Sequence, residues 1–190
     1  MADIKTQKLI YHLTAFENLP SVLAQGLKPR SQLTRFHDVA DQDIIQKRST
    51  LRLENCVPFH WFVKNPFDGS VQTAHRNKPF ALICVRREVA ARNNWSVIPR
   101  HPLANAEIEL LNYEAGFAAI DWETMNKRDY HDSNCKSVCM AECLAPGTVP
   151  VSQFCNIYVR TSELEKKARA WATQQKVTVY IDVNENMFLR

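Results

Sequence analysis

The hydrophobic positions of the first thirty residues change from a strand pattern to a helical one. The segment LIYHLT (9–14) is rich in residues that favour strands. Apolar residues then recur at the spacing of one helix face, at Leu19, Val22, Leu23 and Leu27. Gly26 stands where this helix would end, because glycine readily takes the left-handed conformation of a helix terminus. The pattern predicts a strand, a turn, a helix and a loop.

The middle of the chain combines a polar stretch with three apolar runs. Residues 31–55 alternate in charge and hold one short helical candidate, DQDIIQKRS, so we expect a long loop there. Strands are predicted for the apolar runs at 57–62, 79–87 and 95–99. Residues 105–130 show a helical pattern that is interrupted near Gly116.

The last third of the chain predicts three strands and one helix. The strands are expected at 137–145, 154–160 and 177–183. The helix TSELEKKARAWATQQ begins with Thr161 or Ser162 as its N-cap and carries acidic residues in its first turn. The order of elements lacks the regular alternation of a doubly wound sheet. It predicts an α/β (α+β) fold with a mixed central sheet and flanking helices.

Composition limits the class of protein. A chain of 190 residues with 45% hydrophobic content and neither a repeat nor a linker is expected to form a single domain, 1–190. It holds four glycines and neither GxGxxG nor GxxxxGK[ST], which excludes Rossmann and P-loop chemistry as leading interpretations. Lys and Arg total 24 against 20 acidic residues, giving a net charge of +4 that is compatible with a polyanionic partner.

The hydrophobic segments and the cysteines of the sequence indicate in which cellular compartment the protein is expected. MADIKTQKLIYHL has no apolar segment of signal-peptide length, and no stretch approaches the length of a membrane span. We therefore expect a soluble, cytoplasmic protein that contacts no membrane. The six cysteines are expected to be reduced thiols, because intracellular chains of this size seldom form disulfides.

Two polar residues share one face of the first predicted strand. His12 and Thr14 lie two positions apart in YHLT, so their side chains point to the same side of an extended backbone. They can line a binding site, or they can face water from an edge strand.

A single carboxylate interrupts the apolar run VCMAECLA. Burial of an ionised Glu142 without a partner is costly, so we expect a cleft with compensating donors or a raised pKa. The alternative is a strand end whose alternate residues face solvent. Arg48, in QKRSTLRL between Lys47 and Arg52, can clamp a pyrophosphate or a base edge, or it can belong to a solvated basic loop.

Several segments of the chain together resemble the DarT family. LIYHLTAFENLPSVLAQGLKPRSQL is similar to the opening of the family, where a strand carries His and Thr and a helix precedes GL. DQDIIQKRSTLRL resembles the segment with the catalytic arginine, and CVPFHWFVKNP resembles the VPFYF strand, with HWF in place of FYF. IDWETMNKRDY and MAECLAPGTVPVSQFCNIYV resemble the later helix and the AE-containing strand. These matches occur in the family's order over roughly residues 9–160.

The resemblance implies an NAD-dependent ADP-ribosyltransferase that needs no metal. Glu142 and Arg48 would be catalytic, Glu142 at the ribose and Arg48 at the acceptor base. His12 would bind the adenosine ribose of NAD and Thr14 the nicotinamide end. Asn18, at the start of the first helix, would meet the pyrophosphate.

The acceptor implied by the resemblance is a base of single-stranded nucleic acid, DNA ahead of RNA. A duplex hides the ring edge that must react. Aromatic side chains interleaved with basic ones are candidates for contacts with bases and phosphates: Trp61, Trp122 and Tyr130 with Lys127, Arg128 and Lys136. Trp122 fits a core position equally well, so Tyr130 beside Lys127 and Arg128 is the preferred candidate.

The resemblance further implies a toxin of a toxin–antitoxin or phage-defence system, neutralised by an antitoxin such as a macrodomain protein. Three alternatives remain open at this point. The same chemistry can act on RNA or on a protein. A metal-binding module can use the four-residue spacing of Cys135, Cys139 and Cys143, with His131 one turn earlier. A catalytically silent binding protein is disfavoured, because His12, Thr14, Arg48 and Glu142 are all present.

Overall fold

Seven strands form one mixed sheet. The computed structural model describes residues 3–34, 36–37, 53–101 and 110–189. The strands in chain order are β1 (Leu9–Ala15), β2 (Cys56–His60), β3 (Phe80–Arg86), β4 (Ser96–Ile98), β5 (Glu142–Pro146), β6 (Phe154–Val159) and β7 (Ile181–Val183). Their order across the sheet is β4-β5-β2-β1-β3-β6-β7, and all neighbours are antiparallel except the parallel pair β6 and β7.

Helices cover both faces of the sheet, which confirms the predicted fold class. They are α1 (Leu19–Gln25), α2 (Pro66–Ala74), α3 (Arg87–Arg92), α4 (Tyr113–Ala119), α5 (Trp122–Lys127), α6 (Ser133–Val138) and α7 (Ser162–Gln174). On one face, α7 packs against α1 and against the turn that precedes it, where the ring centroid of Phe16 lies 5.0 Å from that of Trp171. On the other face, α2 contributes Val71 to a cluster with Leu82 and Phe188.

The sheet is split between β1 and β2. β1 pairs with β3 along its whole length, from Leu9↔Arg86 to Ala15↔Phe80. Within the described residues it pairs with β2 at one position, Tyr11↔His60. Pro58 explains the difference, because it has no N–H with which to continue a ladder. The carbonyl of Pro58 instead accepts a hydrogen bond from Nδ1 of His12 at 2.8 Å.

The strand predicted at 137–145 is wrong in its first half. Residues 133–138 form α6, because the side chain of Asp132 accepts a hydrogen bond from the backbone N–H of Cys135 and caps a helix there. The strand β5 starts only at Glu142. This carboxylate therefore lies at the end of a strand, and the chain enters the strand from a tight turn after α6.

The strand predicted at 177–183 is shorter than expected. The N–H of Val177 donates to the carbonyl of Ala172 and so closes α7, which delays pairing with β6 until Ile181. Tyr180, just before β7, is 75% exposed.

Besides α6, two further helices were not predicted, α2 and α3. α2 begins with Asn65, whose side chain accepts from the N–H of Asp68, and with Pro66 at its first position. Both are sequence signals for a helix start. α3 follows directly from β3, so its first residues read as a continuation of the strand. The predicted helical segment at 105–130 contains α4 and α5, whereas residues 102–109 and the helical candidate DQDIIQKRS lie outside the described residues.

Asp68 on α2 gives a testable pH dependence of stability. Its side chain is 1% exposed, and burial raises its pKa from 3.8 to about 8. The unfolded chain loses this proton near pH 4 and the folded chain near pH 8, so the wild type loses stability as pH rises between these values. We expect the difference in melting temperature, Asp68→Asn minus wild type, to increase by roughly 5 °C or more between pH 4 and pH 8.

Thermal unfolding of both proteins across this range is the measurement. The difference should level off above pH 8, where Asp68 is ionised in both states. A difference in melting temperature that stays constant from pH 4 to pH 8 would contradict the protonated, buried carboxyl.

Candidate active site

A cavity of about 540 Å³ opens where β1 and β2 diverge. Its volume lies in the range of cofactor and substrate sites. Four residues predicted from the sequence line it together, namely His12, Thr14, Asn18 and Glu142. They come from β1, from the turn before α1 and from β5. The fold thus brings together side chains that lie as far as 130 residues apart in the chain.

The hydrogen bond of His12 determines the state of its ring. A carbonyl oxygen can only accept, so the 2.8 Å contact with Pro58 requires the proton on Nδ1 of His12. The ring therefore bridges the split and is held at the cavity wall. Thr14 lies two residues further along β1 and is 6% exposed. Both residues line the cavity, as does Leu13 between them.

Asn18 links the cavity to the segment that follows α1. Its Nδ2 donates to Oγ1 of Thr14 at 3.1 Å and to the carbonyl of His37 at 3.1 Å. Its Oδ1 accepts from the N–H of His37 at 2.9 Å. The side-chain amide thus pairs with the backbone of His37 much as one strand pairs with another. Pro20, near the start of α1, also removes one backbone donor that an anion would use.

Glu142 is the first residue of β5 and is 6% exposed. It lies directly opposite His60 on β2 and Ile98 on β4. Directly opposed residues of antiparallel strands point to the same face of the sheet, so His60 and Glu142 approach the cavity side by side. The expectation of a cleft around this carboxylate agrees with its position in the cavity wall.

Sequence reasoning missed several titratable residues that line the cavity, among them Glu54, His60 and His101. Four of the six histidines of the protein line this cavity, His12, His37, His60 and His101. In VPFHWF, His60 stands two positions after Pro58, and a proline inside an apolar strand was the available signal of a break in the sheet. Arg48 lies outside the described residues, as does the rest of 38–52.

The residues predicted to contact nucleic acid lie away from the cavity. The hydroxyl of Tyr130 donates to the carbonyl of Lys64 at 3.0 Å, and burial raises the pKa of this tyrosine to about 12. The guanidinium of Arg128 lies 5.0 Å from the ring of Phe62. Lys127 and Lys136 are exposed. Residues 121–136 contain these three cations and four acidic residues, Asp121, Glu123, Asp129 and Asp132, so the segment has no net positive charge.

Trp61 and Trp122 belong to the core, which corrects their candidacy for base stacking. They are 1% and 7% exposed and meet edge to face with ring centroids 5.3 Å apart. The guanidinium of Arg87 lies 4.9 Å from the Trp61 ring and donates to three carbonyls, those of Lys5, Leu9 and Trp61. Neither indole can reach a base without unfolding this part of the core.

The alternative of a cysteine metal site finds no support in the described part of the chain, where no group of three suitable ligands occurs. The thiols of Cys135 and Cys139 contact the carbonyls of Thr124 and Met125. Cys143 is buried in β5, and all six cysteines are free thiols. Among the described helices, none combines the length and the apolar character needed to cross a bilayer.

Comparison with known proteins identifies the family. A family model described as ssDNA thymidine ADP-ribosyltransferase, DarT, matches residues 11–189. Thermus sp. 2.9 DarT in complex with ADP-ribosylated ssDNA superposes with a TM-score of 0.83 at 16% identity, over 96% of each chain. The same protein in complex with NAD+ gives a TM-score of 0.80 at 15% identity, over 97% of this chain and 98% of that one.

A longer relative shares the fold as well. Thermosipho africanus DarTG in complex with ADP-ribose superposes with a TM-score of 0.73 at 20% identity, and the match covers 96% of this chain but 51% of that one. Among curated proteins, none matches the sequence significantly. The family match spans nearly the whole chain and includes the strand, helix and carboxylate on which the predicted resemblance depended. The chain belongs to the DarT family of ssDNA thymidine ADP-ribosyltransferases.

Proposed function

We propose that the cavity between β1 and β2 binds NAD and that the enzyme transfers its ADP-ribose to thymidine in single-stranded DNA. The observation that carries this proposal is the convergence of His12, Thr14, Asn18 and Glu142 on one cavity in a chain of the DarT family. Three of the four lie within residues 12–18, and Glu142 reaches the same cavity from β5. A merely structural set of polar residues would have no reason to meet at a split in the sheet.

The reaction breaks the bond between nicotinamide and C1′ of its ribose. The bonding electrons leave with nicotinamide, which becomes neutral, and positive charge develops on the ribose. Glu142 holds the ribose hydroxyls and stabilises this charge with its carboxylate. An atom of the thymine base then forms the new bond to C1′ and gives up its proton. The burial of Glu142 strengthens its electrostatic effect, because little water screens the charge.

The NAD side of the cavity is assigned to the residues near β1. His12, oriented by Pro58, binds the ribose of the adenosine half, and Thr14 contacts the nicotinamide end. Asn18, which is hydrogen-bonded to Thr14 and to the backbone of His37, is assigned to the pyrophosphate. Its amide is bonded to the protein, so its contribution is to order the wall as well as to meet the phosphates.

The acceptor side is assigned to Arg48 and to a surface outside the cavity. Arg48 positions the base as a charged donor, because an arginine with a pKa above about 12 is a poor proton acceptor. Lys127, Arg128, Lys136 and Tyr130 contact the strand away from the reacting base. The acidic neighbours of this segment limit its share of the binding free energy, so salt should weaken binding only moderately.

The experiment is a panel of matched oligonucleotides with NAD, analysed by mass spectrometry. We expect ADP-ribose on single-stranded DNA that contains thymidine, less on RNA, little on the duplex, and a dependence on the flanking bases. A single strand without thymidine is the matched control for the base. Equal labelling of duplex and single strand, or labelling of protein alone, would contradict the acceptor assignment.

The biological setting is that of a cytoplasmic toxin with a neutralising partner, in a toxin–antitoxin or phage-defence system. The match to Thermosipho africanus DarTG covers 51% of that longer chain. We place the partner in the macrodomain class, which would remove the ADP-ribose. The second candidate acceptor is RNA, and the RNA arms of the panel separate it from DNA by the effect of the 2′-hydroxyl.

A further inference from the structure

His60 occupies a defined place beside Glu142. The two residues are directly opposed on β2 and β5, and both line the cavity. Side chains at such positions have Cβ atoms roughly 5 Å apart and point to the same face. The ring of His60 stacks on Phe67 of α2, with centroids 5.2 Å apart and planes inclined by 30°. His60 is 4% exposed, so α2 holds the imidazole against the strand next to the carboxylate.

We propose that His60 is a positioning residue for Glu142: its stacked ring keeps the carboxylate turned into the cavity, and its neutral form is the one that supports transfer. This inference rests on the proposed role of Glu142 at the ribose. An imidazolium at this distance would attract the carboxylate and offset the negative charge that the developing positive ribose requires. A neutral imidazole fills the same space without competing for that charge.

A tyrosine placed at position 60 would present a flat ring of similar size to Phe67, on which the ring of His60 stacks. Either ring can stack on Phe67, but only the imidazole changes its charge near neutral pH. The histidine therefore adds a proton-dependent charge beside Glu142 that a tyrosine would not supply.

Other titratable groups lie near His60, and their effects on the pH dependence must be distinguished from the effect of His60. On β1, Tyr11 is the opposed residue, and burial raises its pKa well above the ordinary value, so it stays neutral. On α2, the ring that stacks on His60 is that of Phe67, which does not titrate, and the next residue is Asp68, whose pKa is raised by burial to about 8. The remaining groups that line the same cavity are His12, His37, His101, Glu17 and Glu54, together with the cations Lys28 and Arg30.

The test compares the pH dependence of kcat for the wild type and for His60→Tyr, with NAD and a thymidine-containing single strand. In the wild type, kcat should fall about tenfold per pH unit at pH values below the His60 midpoint, where the imidazolium predominates. In His60→Tyr, kcat should change less than about threefold between pH 5 and 7. His12 is assigned to NAD binding, so its titration should appear in kcat/KM for NAD in both proteins. His131→Gln, at an exposed position outside the cavity, is the control and should keep the wild-type profile.

A second measurement uses no turnover. The ring protons of His60 are followed by NMR through a pH titration in the wild type and in Glu142→Gln. Loss of the neighbouring carboxylate should move the His60 midpoint to lower pH by roughly half a unit or more, because a nearby anion favours the imidazolium. His60→Phe serves as a second variant if His60→Tyr folds poorly.

The outcomes distinguish this inference from the proposed function. If the wild type is active and the fall of kcat at low pH persists in His60→Tyr and His60→Phe, the role of His60 alone is overturned. An unchanged His60 midpoint in Glu142→Gln would have the same consequence. A wild type that labels no acceptor would overturn both. A flat pH profile of kcat in the His60 variants, together with a lower His60 midpoint in Glu142→Gln, would establish that His60 and Glu142 act as a pair.

Discussion

Replacement of Glu142 with glutamine is expected to lower ADP-ribosyl transfer by roughly 100-fold to 1000-fold. The carboxylate lies in the wall of the cavity, is 6% exposed, and occupies the first position of β5, where the strand backbone fixes it. Glutamine keeps the size and the hydrogen-bonding oxygen but removes the negative charge that stabilises the developing positive ribose. We therefore expect kcat to fall far more than the affinity for NAD.

Two glutamate variants control for loss of charge elsewhere. Glu54→Gln removes the charge of another carboxylate in the cavity wall and should cost much less, because Glu54 is not placed at the reacting carbon. Glu163→Gln, on the exposed face of α7, should be neutral for transfer. Initial rates with single-stranded DNA, together with thermal unfolding of each variant, are the measurements. Equal losses in Glu142→Gln and Glu54→Gln would contradict the assignment.

Replacement of Arg48 with alanine is expected to lower transfer by roughly 100-fold or more while NAD affinity changes little. Arg48 lies outside the described residues, and its assignment to the acceptor rests on the resemblance of DQDIIQKRSTLRL to the family's arginine segment. A guanidinium holds a base edge through two parallel hydrogen bonds, and a misplaced acceptor loses most of the advantage of proximity. The loss should therefore concern the base, and NAD binding should remain.

Arg52→Ala is the matched control, because it removes the same charge four residues further along the same segment. Calorimetry with NAD and rate measurements with single-stranded DNA separate the two steps. Comparable losses in Arg48→Ala and Arg52→Ala would show that the segment contributes general positive charge. A large loss of NAD affinity in Arg48→Ala would show that Arg48 binds NAD, and its assignment to the acceptor base would be wrong.

Local signals were sufficient for several elements. The first unit was predicted because apolar residues of β1 and α1 follow two different periods and Gly26 ends the helix with φ of +81°. A side chain at Gly26 would also meet the carbonyl oxygen of Val149 at 2.8 Å. β6 and α7 were predicted for similar reasons, since Thr161 caps the helix as its sequence suggests. Such elements depend on interactions within a few residues.

Other elements depended on contacts that the local pattern does not contain. The apolar run at 137–145 suits a strand and a buried helix equally, and the cap from Asp132 selected the helix for its first half. The aromatic residues Trp61 and Trp122 read as candidates for base stacking because exposure cannot be inferred from spacing. Their burial follows from the packing of α5 against the strand end that carries Trp61.

The sequence by itself determined the fold class, the family and the chemical types available for catalysis, because these follow from periodicity and from ordered motifs. It placed His12 and Thr14 on one face, since side chains two apart on a strand must point together. Only the tertiary structure decided that β1 and β2 separate at Pro58, that this gap becomes the cavity, and that His60 faces Glu142. Strand register and the partner of each strand arise from pairing between distant segments, and no local pattern specifies which distant segment will be the neighbour.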